Sequence, residues 1–158
     1  MKGIRRGIAV WLFALAATAQ TPAPSLANAD DLISQARQVY TQQGAKAALP
    51  EFERLLALFQ QSNDRRREAI TLGFMGNCYR RLGDLPRALD FVERGITIKQ
   101  GLGDNLEVGR SENQLGLIYW DMANYPQAIT HLQRAVATGR ETKDLQLEGQ
   151  ALNNLGLV

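Results

Sequence analysis

The sequence predicts an all-α protein built as an array of antiparallel helix pairs, about three and a half of them. Three observations carry this. The chain repeats itself at a shift of forty residues, its apolar residues recur at the three, four and seven spacing of amphipathic helices, and small residues fall at fixed points of each repeat. At 158 residues and 45% apolar content there is material for a packed core, and for no more than one ordinary domain.

In chain order, the first nineteen residues run from a basic head (Lys2, Arg5, Arg6) through about a dozen apolar residues to the small-residue site Ala17-Thr18-Ala19. This is the layout of a secretory signal peptide, and the apolar run is too short to favour a membrane span. A second site, Ala27-Asn28-Ala29, ends a Thr/Pro/Ser-rich piece, so residues 1–29 read as a leader cleaved near Ala19 or Ala29; the alternative is an uncleaved N-terminal anchor. The leader holds three of the eighteen basic residues and none of the sixteen acidic ones, so its removal takes the formal charge from +2 to −1. A near-neutral exported chain has no electrostatic footprint for nucleic acid or an acidic membrane. The single cysteine, Cys78, allows no internal disulfide, and stability must come from packing.

Residues 75–98 lie over 115–138 without a gap, pairing Gly76 with Gly116, Tyr79 with Tyr119, Pro86 with Pro126, Ala88 with Ala128 and Arg94 with Arg134. Eleven of the forty-four positions compared at this shift are identical, whereas a shift of thirty-four puts Tyr119 on Leu85 and loses the register. Carried back, the shift finds a degenerate first copy with Ala36, Ala48, Phe52, Arg54 and Asp64. The units are residues 30–63, 64–103 and 104–143, with a partial unit over 144–158.

Each unit reads as two helices. In the third, Val108, Leu115, Ile118 and Met122 define the first, and Ile129, Leu132 and Val136 the second, with Pro126 in the first turn of that helix, where its missing N–H costs least. Asp104 followed by Glu107 predicts a capping box; Asp64 and Asp144 predict simple caps. Gly76 and Gly116 facing Ala88 and Ala128 predict close helix approach, with Tyr79 and Tyr119 filling the space a turn further on. In the first unit Pro50 lies four residues deeper than Pro86 and Pro126, so its second helix is expected to start late, near Leu49, as an irregular cap. The last stretch, 144–158, reads as the first helix of a fourth unit, packing Leu152, Leu155 and Val158 back on the third; its bare side suggests a continuing chain, a partner or a second copy.

At these residues the pattern resembles the tetratricopeptide repeat. The third unit carries that family's order at Leu115, Gly116, Tyr119, Ala123, Tyr125, Ala128, Leu132 and Ala135; the second carries it at Met75, Gly76, Tyr79, Gly83, Leu85, Ala88, Val92 and Gly95. The family's usual period is about 34 residues, so six extra residues lengthen either the helices or the links. Arrays of this longer kind are similar to those in bacterial partner-binding scaffolds and before caspase-like CHAT peptidase domains. The resemblance implies a right-handed superhelical solenoid whose first helices line a concave groove, binding a protein or peptide without cofactor or metal.

On that geometry the groove positions are Ile70, Phe74, Asn77, Arg80 and Arg81 in the second unit, Arg110, Asn113, Gln114, Leu117, Trp120 and Asp121 in the third, and Gln150, Asn153 and Asn154 in the fragment. Amides bond an extended peptide backbone through both donor and acceptor, arginines fork a carboxylate, and Trp120 offers a flat apolar contact. The plainer reading is that Asn77, Asn113 and Asn153 tie neighbouring helices and that Arg80 and Arg81 are a solvated face. The run Arg65 to Arg67 reads as a solvated turn rather than an anion contact. Cys78 and His131 form no recognisable catalytic dyad, since no third group accompanies them. The function expected is therefore non-enzymatic binding, with self-association through the open repeat edge as a further possibility and the recognition array of a larger enzyme as the alternative.

Overall fold

The computed structural model describes residues 28–158, which form seven helices in a row: α1 (Ala29–Gln43), α2 (Ala45–Gln61), α3 (Arg65–Arg81), α4 (Leu85–Gly101), α5 (Asn105–Asp121), α6 (Tyr125–Thr142) and α7 (Leu145–Leu155). The leader lies outside the described residues except for Asn28 and Ala29. Among the described residues there is no strand, and no helix is long and apolar enough to cross a membrane. Each helix packs on the next, and α5 also touches α3 and α7, so the first helices of successive units form one layer of a solenoid.

The turns explain the period. From α2 to α6 each helix is followed by a residue with positive φ (Asn63, Gly83, Gly103, Ala123, Lys143), and the next residue (Asp64, Asp84, Asp104, Asn124, Asp144) caps the following helix by accepting a backbone N–H three residues on. The backbone N–H of each capping residue also bonds back to the carbonyl five residues earlier, for instance Asp104 to Lys99 at 3.0 Å and Asp144 to Gly139 at 2.9 Å. This is the 6→1 bond of a Schellman ending fused to an N-cap. A 17-residue helix and a three-residue turn make a module of twenty. The extra length of the forty-residue period therefore resides in the helices, and the links stay short.

Asp104 caps α5, but no box closes. Its own N–H is taken by Lys99, and the Glu107 carboxylate turns to Arg110 at 2.7 Å. Pro50 likewise departs from expectation, because α2 begins at Ala45, in register with α4 and α6, and carries Pro50 inside it. Both Pro50 and Lys46 are exposed, so the Lys46 carbonyl that the proline leaves without a partner can be hydrated. What is irregular in the first unit is its turn, reduced to Gly44 at φ 89°.

Ala48, Ala88 and Ala128 are fully buried in the second helices, and Phe52, Val92 and Leu132 lie one turn on. A Cβ on Gly116 would come within 2.5 Å of Leu132, and one on Gly76 would collide with Val92, so the predicted close approach is real. Tyr79 stacks on Phe91 and Tyr119 on His131, each with ring centroids 5.1 Å apart. A continuous core runs from Ala29 to Ile118, and a smaller one joins Ala135 and Val136 to Leu147 and Ala151 of α7. Three apolar expectations fail. Met122 and Ile129 are 42% and 37% exposed, and α7 packs through Leu147 and Ala151 while Leu152 faces solvent. Met122 has left the helical face because it is the C-cap residue of α5.

Candidate partner-binding groove

The second, third and first units together enclose a cleft of about 460 Å³ on the first-helix layer. Its walls are Asp30, Ile33, Ser34 and Arg37 of α1, Ile70, Gly73 and Phe74 of α3, and Glu107, Arg110, Ser111 and Gln114 of α5; Lys99 of α4 reaches in between. The positions follow from helical spacing, since 70, 73 and 74, like 107, 110, 111 and 114, lie on one face. Gly73 matters here by what it lacks, because a Cβ would point at the Gln114 amide at 3.5 Å and Lys99 Nζ at 3.9 Å.

Of the groove residues expected from sequence, Ile70, Phe74, Arg110 and Gln114 line this cleft. The others lie further along the same layer, and several bond to each other. Arg80 pairs with Asp121 at 2.8 Å, joining α3 to α5, and its buried Nε has no partner. Arg81 donates to the Tyr40 hydroxyl at 3.1 Å, and Asn154 donates to Asn113 at 2.9 Å, joining α7 to α5. Asn77 and Leu117 are half-buried between those links, Asn153 and Gln150 are exposed on α7, and Trp120 is 39% exposed near the end of α5. Arg80, Arg81, Asn113 and Asn154 thus have structural partners, whereas Trp120 presents an open apolar face.

The basic run opens α3, and although Arg65 and Arg66 are exposed, as a solvated face would be, each of its arginines has an ion-pair partner. Arg65 pairs with Glu68, Arg66 with Asp104 of the third unit at 3.0 Å, and Arg67 with Asp30 of the first at 2.9 Å. Arg110 makes the corresponding stitch to Asp144 at 3.0 Å. The Arg67 side chain holds Asp30 below the usual carboxylate range, and the Leu147 N–H together with Arg110 does the same for Asp144. The inner side of the solenoid is therefore laced by Arg–Asp pairs from unit to unit.

Lys99, Arg37, Ile33 and Ser34 escaped the sequence reading because the groove was assigned to the first helices of the second and third units and the fragment; Ser111 lies on one of those helices but was passed over between Arg110 and Asn113. One signal was present. At the forty-residue shift Lys99 stands where the other units have Phe59 and Gly139, a charge in a column that otherwise packs.

Two family models described as tetratricopeptide repeat match the chain, one over residues 36–101 and one over 111–142, between them more than half of it. The chain belongs to the tetratricopeptide repeat family. Among solved structures, this repeat protein is similar to BtubC (BKLC) from P. vanneervenii, with TM-score 0.72 and 18% identity over 82% of this chain and 54% of that one. It is also similar to a Podosopora anserina protein assigned as a kinesin light chain with nearly identical TPR-like repeats, with TM-score 0.71 and 14% identity over 84% of this chain and 66% of that one. These likenesses are of fold, and the chain spans between about half and two thirds of the structures it matches. No curated protein matches it.

Proposed function

We propose that this tetratricopeptide repeat chain is an exported recognition module that binds an extended segment of a protein partner in the cleft between α1, α3 and α5. The observation that carries the reading is the make-up of that cleft, in which apolar Ile33, Ile70 and Phe74 lie beside amide, hydroxyl and charged groups. Such a mixture gives a peptide both area and backbone hydrogen bonds. Binding without catalysis is supported by Cys78, which is fully buried and whose thiol burial pushes up to about 11, leaving almost no thiolate at neutral pH. His131 bonds to Glu112 at 2.6 Å. Export rests on the leader sequence, and the near-neutral charge after residue 29 favours protein over nucleic-acid partners. The exposed leucines 145 and 157 of the α7 region support self-association at that edge as a secondary contact, and sedimentation at rising concentration tests it.

The groove is tested by blocking it. Ile70→Arg with Gln114→Arg fills the cleft with two long side chains and is expected to weaken binding of panel-selected synthetic peptides at least ten-fold, about 1.4 kcal/mol, with helicity by circular dichroism unchanged. Peptide binding that survives this double change would place recognition elsewhere. Mass spectrometry of the secreted chain, with an N-terminus at residue 20 or 30, tests export.

A further inference from the structure

The backbone role of position 99 does not call for a lysine. Its backbone carbonyl accepts the Asp104 N–H, just as Phe59 serves Asp64 and Gly139 serves Asp144, so the three residues occupy one place in the fold. Neither equivalent carries a charge. Yet the Lys99 side chain is only 7% exposed, a costly position for an ammonium unless its donors are satisfied. Of its three N–H groups, one reaches Ser111 Oγ at 2.7 Å. The Glu107 carboxylate makes a longer ion pair with the ammonium at 3.7 Å and is shared with Arg110, which holds it at 2.7 Å. The other nearby acids are also committed, Asp104 to Arg66 and Asp30 to Arg67. Across the cleft, Arg37 sits over the Phe74 ring at 5.4 Å and makes no ion pair among the described residues. The cleft therefore holds two cations with donors to spare, one of them buried, while its acids are held more closely by Arg66, Arg67 and Arg110.

We propose that Lys99 is the floor of an acid-reading subsite: the bound segment seats an Asp or Glu carboxylate on Lys99 Nζ and an adjacent apolar side chain against Ile33, Ile70 and Phe74. The inference rests on the groove reading above and adds the chemistry of the partner, an acidic residue next to an apolar one. Arg37 closes the subsite from the α1 side, where its guanidinium can fork the same carboxylate. The cation lies deep, so a matching amide in place of the carboxylate leaves a buried ammonium poorly satisfied, and discrimination should be large. Ordinary burial also pulls the Lys99 ammonium below its usual value, with Glu107 and Asp104 opposing, which a bound carboxylate would reverse.

The test uses the full chain and capped synthetic octapeptides, each with one Glu beside a Leu or Phe, matched to partners carrying Gln instead. Glu peptides are expected to bind about ten-fold tighter or more than their Gln partners. Lys99→Met should erase that preference, and Lys99→Arg should restore part of it. If Glu and Gln peptides bind alike, the subsite is wrong and the groove reading stands; if the preference persists in Lys99→Met, the acid is read elsewhere; if no peptide binds, both readings fail. The Glu-against-Gln comparison is made on the unaltered protein, so it decides the matter even should a Lys99 variant not fold.

Discussion

At the junction between the second and third units the helix-end position holds Lys99, and at the next junction the same position holds Gly139. Around Gly139 the chain packs so closely that a Cβ would lie 2.7 Å from the Glu148 backbone nitrogen. Around Lys99 the equivalent space is opened, and the side chain runs through it toward the cleft. The first junction of the series fills the place with Phe59, fully buried in the core. The backbone task is common to all three, which teaches that the twenty-residue module fixes where the helices end and leaves the side chain there free for packing, for close approach or for recognition.

The comparison breaks most visibly at Gly139. Gly139→Val is expected to cost about 3 kcal/mol, the upper end of the usual overpacking penalty, in urea denaturation. It should also speed amide exchange across Leu145–Leu155 first, because α7 is the helix it displaces. A neutral result would mean that the α6–α7 contact is looser than its geometry shows. Lys99→Met should do the reverse and raise stability by about 1 kcal/mol at neutral pH, since a poorly paired buried cation gives way to an apolar chain of similar length. The pH dependence carries its own sign. With its ammonium below the ordinary 10.5, Lys99 costs stability at every pH under the lowered value, and that cost fades as pH rises through 10.5; the alkaline rise should vanish in Lys99→Met.

Acid sharpens the other junction. Asp144 lies below its ordinary value of 3.8, so its contribution is present above that value and lost as pH falls through it. Exchange in α7 should therefore rise on acidification before exchange in α5 does, and Asp144→Asn should flatten that response. The smallest effect is expected at Lys143, a non-glycine residue at φ 57° in the turn before α7. Lys143→Gly relieves a left-handed backbone penalty of about 1–2 kcal/mol, partly offset by glycine's unfolded-state entropy. A net gain of about 0.5 kcal/mol in thermal unfolding is the outcome to look for.

Much of this architecture was legible because it repeats. Gly76 against Ala88, Gly116 against Ala128 and the tyrosines one turn on gave the helix pairs, and Asp64, Asp104 and Asp144 gave three helix starts. Asp84 and Asn124 carry the same cap between the two helices of a unit, each two residues before a proline, and all five stand twenty residues apart. Pro50 departs from expectation because propensity counts the lost hydrogen bond, while the tolerance comes from the exposed side of α2 on which Lys46 and Pro50 lie. The groove was half legible. First-helix faces are set by period, which placed Ile70, Phe74, Arg110 and Gln114, but the partners that engage Arg80 and Asn113 are about forty residues away, and Lys99 enters from a second helix.

If recognition occurs on the first-helix layer, amide and methyl NMR spectra of the chain, recorded with and without a Glu-containing peptide from the panel, will show it residue by residue. Perturbations are expected to concentrate at Ile33, Ile70, Phe74, Lys99 and Gln114, with the exposed faces of α2, α4 and α6 unchanged. Perturbations concentrated on those second-helix faces, with the cleft residues silent, would contradict that placement.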